Sequence, residues 1–448
     1  MTDNFIITSA INDVPLFEPF WRSIVQYAKK NKAEIIVIPQ LYKNPTSQQE
    51  NMNDDPQWPS EVLPFCSSRR VRLGKNIVML GDIPIGATAQ NPLSGLDTYS
   101  GTDSAIVGHG RIQLQTVATR QGRLPKILTS TGSVSKAQYS KSKAGAKARF
   151  HHVNGAVVCS VRGSTFHIRQ VNACSDGSFI DLFTEYSPTG TNDAGNASGI
   201  ILGDSHWRWQ DPSVTKSTFV GRNSIIGRLG PSVVVHHDTL DFHAQNHHNI
   251  DDEFITWRNL HSRINDVRGE LDFTIAELNK YCGKLNNVIV ASNHDEAFDK
   301  WLLYANIKRD PQNALLYYEM KTLMLKDMQD GKSRSALQTY ASNKLRGKFR
   351  FLNRDESFSV KGIELAFHGD KGINGARGSR KSFCKIGTKC VIGHSHSPGI
   401  DQGVYQTGTS TFLKLGYNVG PSSWLNTHCV IYRNGKRSLI NIIDGEWH

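Results

Sequence analysis

Five segments of this chain follow one pattern: a short apolar run, then Asp, Asn or His where a strand would end. Ile200-Ile201-Leu202 runs into Gly203-Asp204-Ser205-His206, and Val233-Val234-Val235 into His236-His237-Asp238-Thr239-Leu240-Asp241. Val288-Ile289-Val290 is followed two residues on by Asn293-His294-Asp295. Leu365-Ala366-Phe367 leads into His368-Gly369-Asp370, and Val391-Ile392 into Gly393-His394-Ser395-His396. In open α/β sheets ligands collect beyond the carboxyl ends of the strands, so tips from distant parts of a chain can converge on one place. In extended chain residues i and i+2 point the same way, which lets both ends of a D-x-H or H-x-H reach one site. Carboxylate, amide and imidazole together suit Mn²⁺, Mg²⁺, Fe²⁺ or Zn²⁺ rather than thiophilic ions. A lone D-x-H or H-x-H is ordinarily a plain polar pair; the weight lies in five such tips together.

The length of 448 residues exceeds one comfortable hydrophobic core and implies two domains. Residues 5–9 read as a strand and 15–30 as a helix with Leu16, Phe20, Ile24 and Tyr27 at helical spacing. Residues 34–39 read as a second strand, so the chain opens on an α/β unit. Residues 44–59 hold three prolines and no apolar periodicity, the marks of a loop. Strand-like pieces recur at 76–80, 105–117 and 156–161, and residues 129–147, rich in Ser, Ala, Gly and Lys, read as a mobile basic loop. Turn formers fill 187–198, which places the boundary between a region 1–195 and a region 196–448. Long helical stretches follow at 251–284 and 297–330, and no internal repeat stands out at solenoid periods. Leu80-Gly81-Asp82 and Gly108-His109-Gly110 copy fragments of the motifs without their companions and read as loop residues. His236, His237, His243, His247 and His248 read as surface or supporting histidines rather than further ligands.

A net charge of +12 speaks to polyanions rather than to fold. Residues 104–175 contain no Asp or Glu, yet hold Arg111, Arg120, Arg123, Lys126, Lys136, Lys141, Lys143, Lys147, Arg149, Arg162 and Arg169. Between the fourth and fifth tips lie Lys371, Arg377, Arg380, Lys381, Lys385 and Lys389, and a third cluster over 332–354 adds Lys332, Arg334, Lys344, Arg346, Lys348, Arg350 and Arg354. Several cations strung along a surface suit a polymer of phosphates better than a small phosphomonoester. Tyr139, Phe150, Phe349 and Phe351 lie near these clusters, where bases could stack, although core packing is the ordinary role of such phenylalanines. Seven cysteines are scattered without a CxxC pair, so neither a disulfide framework nor a zinc ribbon is indicated. The apolar runs are strand-sized and the N-terminus lacks a secretory layout, which points to a cytoplasmic protein with no membrane partner.

The order of tips (D-x-H, then D-x-x-D, N-H-D, a lone His and G-H-x-H) resembles the calcineurin-like metallophosphoesterase superfamily, from about residue 199 onward. That resemblance implies a four-layer α/β/β/α sandwich, here with an additional N-terminal α/β domain. It implies two metal ions about 3.5–4 Å apart that activate water for in-line attack on phosphorus. Asp204, His206 and His396 would hold one ion, Asn293, His368 and His394 the other, and Asp238 would bridge them. His294 would serve the leaving oxygen, with Asp241 and Asp295 orienting imidazoles. Two departures stand out: His237 and Ser292 occupy the places of family glycines. With the charge, the chain is similar to the nuclease branch typified by the SbcCD-type DNase catalytic subunit. Its opening also resembles the pre-early DNA-degradation proteins of certain tailed phages. The implied activity is a metal-dependent DNase, Mn²⁺ being the typical ion and Mg, Fe or Zn the alternatives. Arg123, Lys141, Lys143, Lys147, Arg149, Lys371, Arg377, Arg380, Lys381 and Lys385 would contact DNA, in a chain that could form a homodimer in a bacterial host's cytoplasm. The competing readings are a phosphatase of phosphoproteins or small esters, and a DNA-binding regulator that keeps a metal site.

Overall fold

A computed structural model describes residues 2–42, 56–245, 252–262, 264–416 and 418–448. It is a mixed α/β protein with several sheets. The first strand, Thr2–Ile11, is joined by the helix Glu18–Asn31 to the parallel strand Glu34–Gln40, as the opening pattern requires. Gly155–Arg162 and Thr165–Asn172 complete a four-stranded sheet on the other side of the first strand. A six-stranded sheet runs Lys348–Phe351, Asn286–Ile289, Val234–His236, Gly199–Ile201, Thr427–Ile431, Arg437–Asn441, the first four mutually parallel. Ser438 Oγ donates to Gln170 O at 2.7 Å, so the edges of these two sheets meet.

A ten-stranded sheet draws on both ends of the chain. Arg70–Gly74, Ile77–Leu80, Ser104–Val107, Gln113–Val117 and Lys126–Ser130 come from before the turn-rich break, and Ser359–Val360, Ile363–Glu364, Cys390–Ile392, Gly399–Asp401 and Val404–Gln406 from after it. Gly399–Asp401 pairs directly with Gln113–Val117, so the break at 187–198 does not separate two independent sheets.

Period-two alternation sorts the strand residues into layers. Ile77 and Met79 join one core with Ile7, Ile201, Val235, Val391 and Cys429, between the ten-stranded sheet and the four- and six-stranded sheets. Val78 and Leu80 point the other way, with Leu93 and Leu96. Ile200 and Val430 face outward under Val214 and Leu229. Each such side chain, fully buried, contributes roughly 1.5–3 kcal/mol. The 251–284 stretch divides into helices Glu253–His261 and Val267–Cys282, and the 297–330 stretch into Asp295–Tyr304 and Ala314–Gln329. Most of 44–59 lies outside the described residues, as do His247 and His248.

The expected mobile loop at 129–147 is corrected. Thr129–Ser135 is buried, Ser133 Oγ donates to Ser9 O and Ile11 N donates to Ser135 Oγ, while Lys143–His151 is a helix capped by Ser142. Small hydroxyl residues here fill a narrow space beside the first strand rather than a linker. Among the described residues no helix is long and apolar enough to cross a membrane.

Candidate metal centre

The carboxyl ends of Gly199–Ile201, Val234–His236 and Asn286–Ile289 point to one edge of their sheet, carrying Asp204 and His206, Asp238, and Asn293. Opposite them the parallel strands Ile363–Glu364 and Cys390–Ile392 deliver His368, His394 and His396. The tips interlock. Asp204, His206, Asp238 and His396 bring ligand atoms within 4.8 Å of one another, and Asp238, His368 and His394 do the same. His396 Nε2 lies 3.2 Å from Asp204 Oδ2 and 3.2 Å from His206 Nε2. Asp238 Oδ2 stands 3.5 Å from His206 Nε2 and 3.2 Å from His368 Nε2, between the two groups.

Those spacings fit coordination better than hydrogen bonding. Two atoms each about 2.1 Å from one ion lie about 3.0–3.4 Å apart. Both oxygens of Asp204, Asp238 Oδ1, His368 Nε2 and Asn293 Oδ1 are buried without a hydrogen-bond partner. Unsatisfied buried polar atoms are costly and normally rare, so this concentration marks a cradle shaped for cations. Backbone strain points the same way. His206, Asp238, His394 and His396 have φ of 36°, 43°, 74° and 56°, left-handed values that cost roughly 1–3 kcal/mol each without glycine.

The electrostatics report a deep negative field. Burial lowers the basicity of His368, yet the neighbouring Asp238 and Asp204 carboxylates carry its pKa up to about 9. Burial likewise opposes charge on His206, but Asp241 and Asp238 lift it to about 9. Asp238 itself is held well below the usual carboxylate range against burial, chiefly by His368 and His294. Protons on these imidazoles balance charge that divalent ions would balance. The chemistry of the donor set therefore fits a metal pair.

Supporting contacts follow. Asp241 Oδ1 lies 3.2 Å from His206 Nδ1, which aims Nε2 into the cluster, and Trp209 Nε1 donates to Asp241 Oδ2 at 2.9 Å. His294 Nδ1 donates to the Asp241 carbonyl at 2.8 Å, leaving Nε2 as the free face of a ring one-fifth exposed. Asp295 differs from expectation: it accepts the Leu240 N–H at 2.7 Å and so holds the 239–240 backbone instead of an imidazole. His237 is buried, 3.3 Å from His368 through the Nδ1 atoms, and His236 bonds Asn287. Two contributors carry no local sequence signal. Arg354 grips Asp370 through both terminal nitrogens and Glu296 through Nε, tying the His368 and His294 loops together. The segment Thr407–Thr411 holds the Asp204 backbone through Thr409 Oγ1 and Ser410 N.

The basic residues divide. Arg111 and Lys126 are buried, Lys126 capping the carbonyls of Asp97 and Gly101, and Arg169 pairs with Asp181. The 332–354 cluster is largely neutralised: Lys332 pairs with Asp330, Arg334 with Asp327, Lys344 with Asp272, and Arg350 with Glu356. Arg123, Lys141, Lys143, Lys147, Arg149, Arg377, Lys381 and Lys385 are exposed, as is Lys371, which lies 3.6 Å from Glu296. Arg380 pairs with Asp401 and, with Lys381, lines a cleft of about 370 Å³ that opens beside Gly393 and His394. A second cleft of about 480 Å³ carries Arg111, Lys389, Lys436 and Arg437 and no carboxylate. Tyr139 is buried against His152, whereas Phe150 is 83% exposed.

A mixed α/β protein that gathers buried Asp and His at its strand ends fits the class of metal-dependent hydrolases. More particularly, the chain belongs to the family of Protein A1 of Escherichia phage T5, with which it is 31% identical over 475 residues, 99% of this chain and 82% of the relative. No family model matches the chain. Among solved structures, Chaetomium thermophilum Vps29 in complex with a cyclic peptide overlaps 39% of this chain and 89% of its own, at 13% identity. The TM-score is 0.23, at which such overlap does not define a shared fold.

Proposed function

We propose that the chain is a two-metal phosphodiesterase that cuts DNA, acting inside a phage-infected bacterium. The observation that carries this reading is Asp238, whose carboxylate stands between two ligand groups that share no other residue. Asp204, His206 and His396 would hold one ion with it, and Asn293, His368 and His394 the other. Facing sheets with helices outside them support the α/β/β/α reading of the fold. Divalent ions bound there supply Lewis acidity toward a phosphoryl oxygen and lower the pKa of water, and Mn²⁺ suits the O/N donors.

The protein's own groups do the rest. Asp241 fixes the His206 tautomer, as carboxylates behind ligating imidazoles do. His294, its Nδ1 proton committed to the Asp241 carbonyl, presents Nε2 to accept or deliver a proton at the leaving oxygen. Arg380 and Lys381 would take flanking phosphates in the cleft beside His394, and the exposed Lys141, Lys143, Lys147 and Arg149 would hold more distant ones. A small phosphomonoester needs none of these outer contacts. Purified protein with Mn²⁺ is expected to shorten an end-labelled duplex, and Asp238→Ala to abolish this while the fold survives. Cleavage persisting in Asp238→Ala rejects the site; turnover of p-nitrophenyl phosphate with DNA untouched favours a phosphatase.

A further inference from the structure

The ten-stranded sheet is one five-stranded arrangement written twice. From its outer edge the first half runs Arg70–Gly74, Ile77–Leu80, Ser104–Val107, Lys126–Ser130, Gln113–Val117, with pairings antiparallel, parallel, parallel, antiparallel. From the opposite edge the second half runs Ser359–Val360, Ile363–Glu364, Cys390–Ile392, Val404–Gln406, Gly399–Asp401, with the same sequence of senses and the same swap of chain order at the end. The four-stranded sheet likewise matches four strands of the six-stranded one. Glu34–Gln40, Thr2–Ile11, Gly155–Arg162, Thr165–Asn172 pair parallel, antiparallel, antiparallel, as do Val234–His236, Gly199–Ile201, Thr427–Ile431, Arg437–Asn441.

Individual bonds agree with the topology. Asn154 Nδ2 donates to Ser133 O and Ser135 O at 3.0 and 2.8 Å; Asn426 Nδ2 donates to Thr409 O and Thr411 O at 3.1 and 2.8 Å. Val134 N donates to Ser9 O and Ser410 N to Asp204 O, while Thr131 N donates to Val107 O and Thr407 N to Ile392 O. The stretch Thr131-Gly132-Ser133 is thus the counterpart of Thr407-Gly408-Thr409, and Gly108-His109 of Gly393-His394. The two halves meet through corresponding strands, with Leu114 opposite Ile400, Gln113 opposite Asp401 and Gln115 opposite Gly399. Leu114 lies opposite Thr129, and Ile400 opposite Tyr405, within their own halves. The shared register is therefore what a twofold axis between Leu114 and Ile400 produces.

The correspondence shows what stands where the metal ligands would be. A Cβ at Gly393 would meet Asp204 and His237; a Cβ at Gly108 would meet Ser9 and Ile38. Ser9 therefore takes the place of Asp204, Ile38 that of His237, its neighbour Pro39 that of Asp238 and Arg111 that of His396, while His109 stands in the place of His394. The space is closed by hydrogen bonds: Ser9 Oγ with Gln40 Oε1 and Gly132 O, Gln40 Nε2 with Gly108 O, and both His109 nitrogens with backbone groups of Gly86 and Arg111. Asp82, which follows Ile77–Leu80, is exposed and pairs with Arg70 at 3.5 Å, so the space itself holds one imidazole, a hydroxyl and carbonyls and no anionic ligand for a divalent ion.

We infer that residues before about 195 are a second copy of the metal-bearing module that lacks the metal ligands and is docked where a second subunit would sit. One chain then carries one metal centre and its own partner surface. The ion count rests on the proposed function; the docking does not. Native mass spectrometry of the full chain titrated with Mn²⁺ is expected to find two ions, and none in Asp204→Ala/Asp238→Ala. Four ions in the wild type, or two retained by the double variant, would place metal in the first copy and overturn its assignment as metal-free; a single ion retained there and lost on adding His368→Ala would belong to the second half and leave the assignment standing. In a parallel arm a protease site is inserted between the exposed Gly195 and Asn196 and cut. The halves are expected to co-elute in native buffer and to part only in denaturant; separation in native buffer would overturn the docked-copy inference. A wild type that takes up no ion rejects the metal reading of the function and leaves the co-elution to decide the duplication.

Discussion

A methyl group at residue 393 would lie 2.2 Å from Asp204 Oδ1 and 3.2 Å from the His237 ring, so the glycine of the G-H-x-H tip makes room for the Asp204 carboxylate rather than for a turn. Gly393→Ala must displace Asp204 or the strand behind it. Metal affinity is expected to fall about 10–100-fold, the range for displaced ligand supports, in an isothermal titration with Mn²⁺. Unchanged affinity would show that Asp204 is not a ligand. His294 is the opposite case: its Nδ1 is committed to the Asp241 carbonyl. Its Nε2 is open either to the leaving oxygen, as the proposed function has it, or to an ion shared with His206 and Asp241, whose ligand atoms lie within 4.8 Å of its own. His294→Gln is expected to lower the rate of duplex cleavage about 10²–10⁴-fold with metal content unaltered. Loss of metal with the rate would make His294 a ligand.

At the scale of loops and strands, the five tips were legible because each ends a strand, and strand ends are where apolar alternation stops and donor residues begin. The residues holding those tips in register were not, because their partners are set by tertiary packing. Arg354 looked like one cation of a basic run, yet it spans Glu296 and Asp370. Asp295 shared a motif with His294 but turned to the Leu240 backbone. Gly108-His109-Gly110 and Leu80-Gly81-Asp82 looked like stray fragments, since a copy with Ser9 and Pro39 where the other half has Asp204 and Asp238 keeps its strands and loses its signature. Arg354→Met leaves Glu296 and Asp370 without the cation that keeps both carboxyls below their usual range despite burial. A loss of about 1–3 kcal/mol is expected in urea unfolding, together with a lower kcat from the displaced His294 and His368 loops. Arg354→Lys should rescue little, because an ammonium cannot span three acceptors in one plane. Full rescue by lysine would reduce the contact to simple charge.

For the whole molecule two dependences follow from how charge is distributed. The cations on Lys143–His151 and at Arg377, Lys381 and Lys385 are exposed, so under the proposed function DNA affinity is expected to fall steeply from low to moderate salt in a filter-binding series. Stability against acid also draws on buried imidazoles outside the candidate ligand set. Burial lowers the pKa of His109 and of His152 from 6.5 to about 4, and that of His428 to about 3. In the unfolded chain each titrates near its ordinary value, so between these limits the unfolded state binds more protons than the native one. Stability then rises with pH through this window: it is fully present above 6.5 and drains away as pH falls toward 4 and below. Each group contributes up to about 1.4 kcal/mol per pH unit. Two of the three histidines lie in the first half and one in the second, and the ten-stranded sheet with its core runs through both. Loss of either half therefore takes the other with it, and the urea midpoint is expected to fall as one transition between pH 6.5 and 4. His428→Gln, which leaves that site without a group to protonate, should flatten the fall; a midpoint insensitive to pH across that range would contradict the burial of these rings.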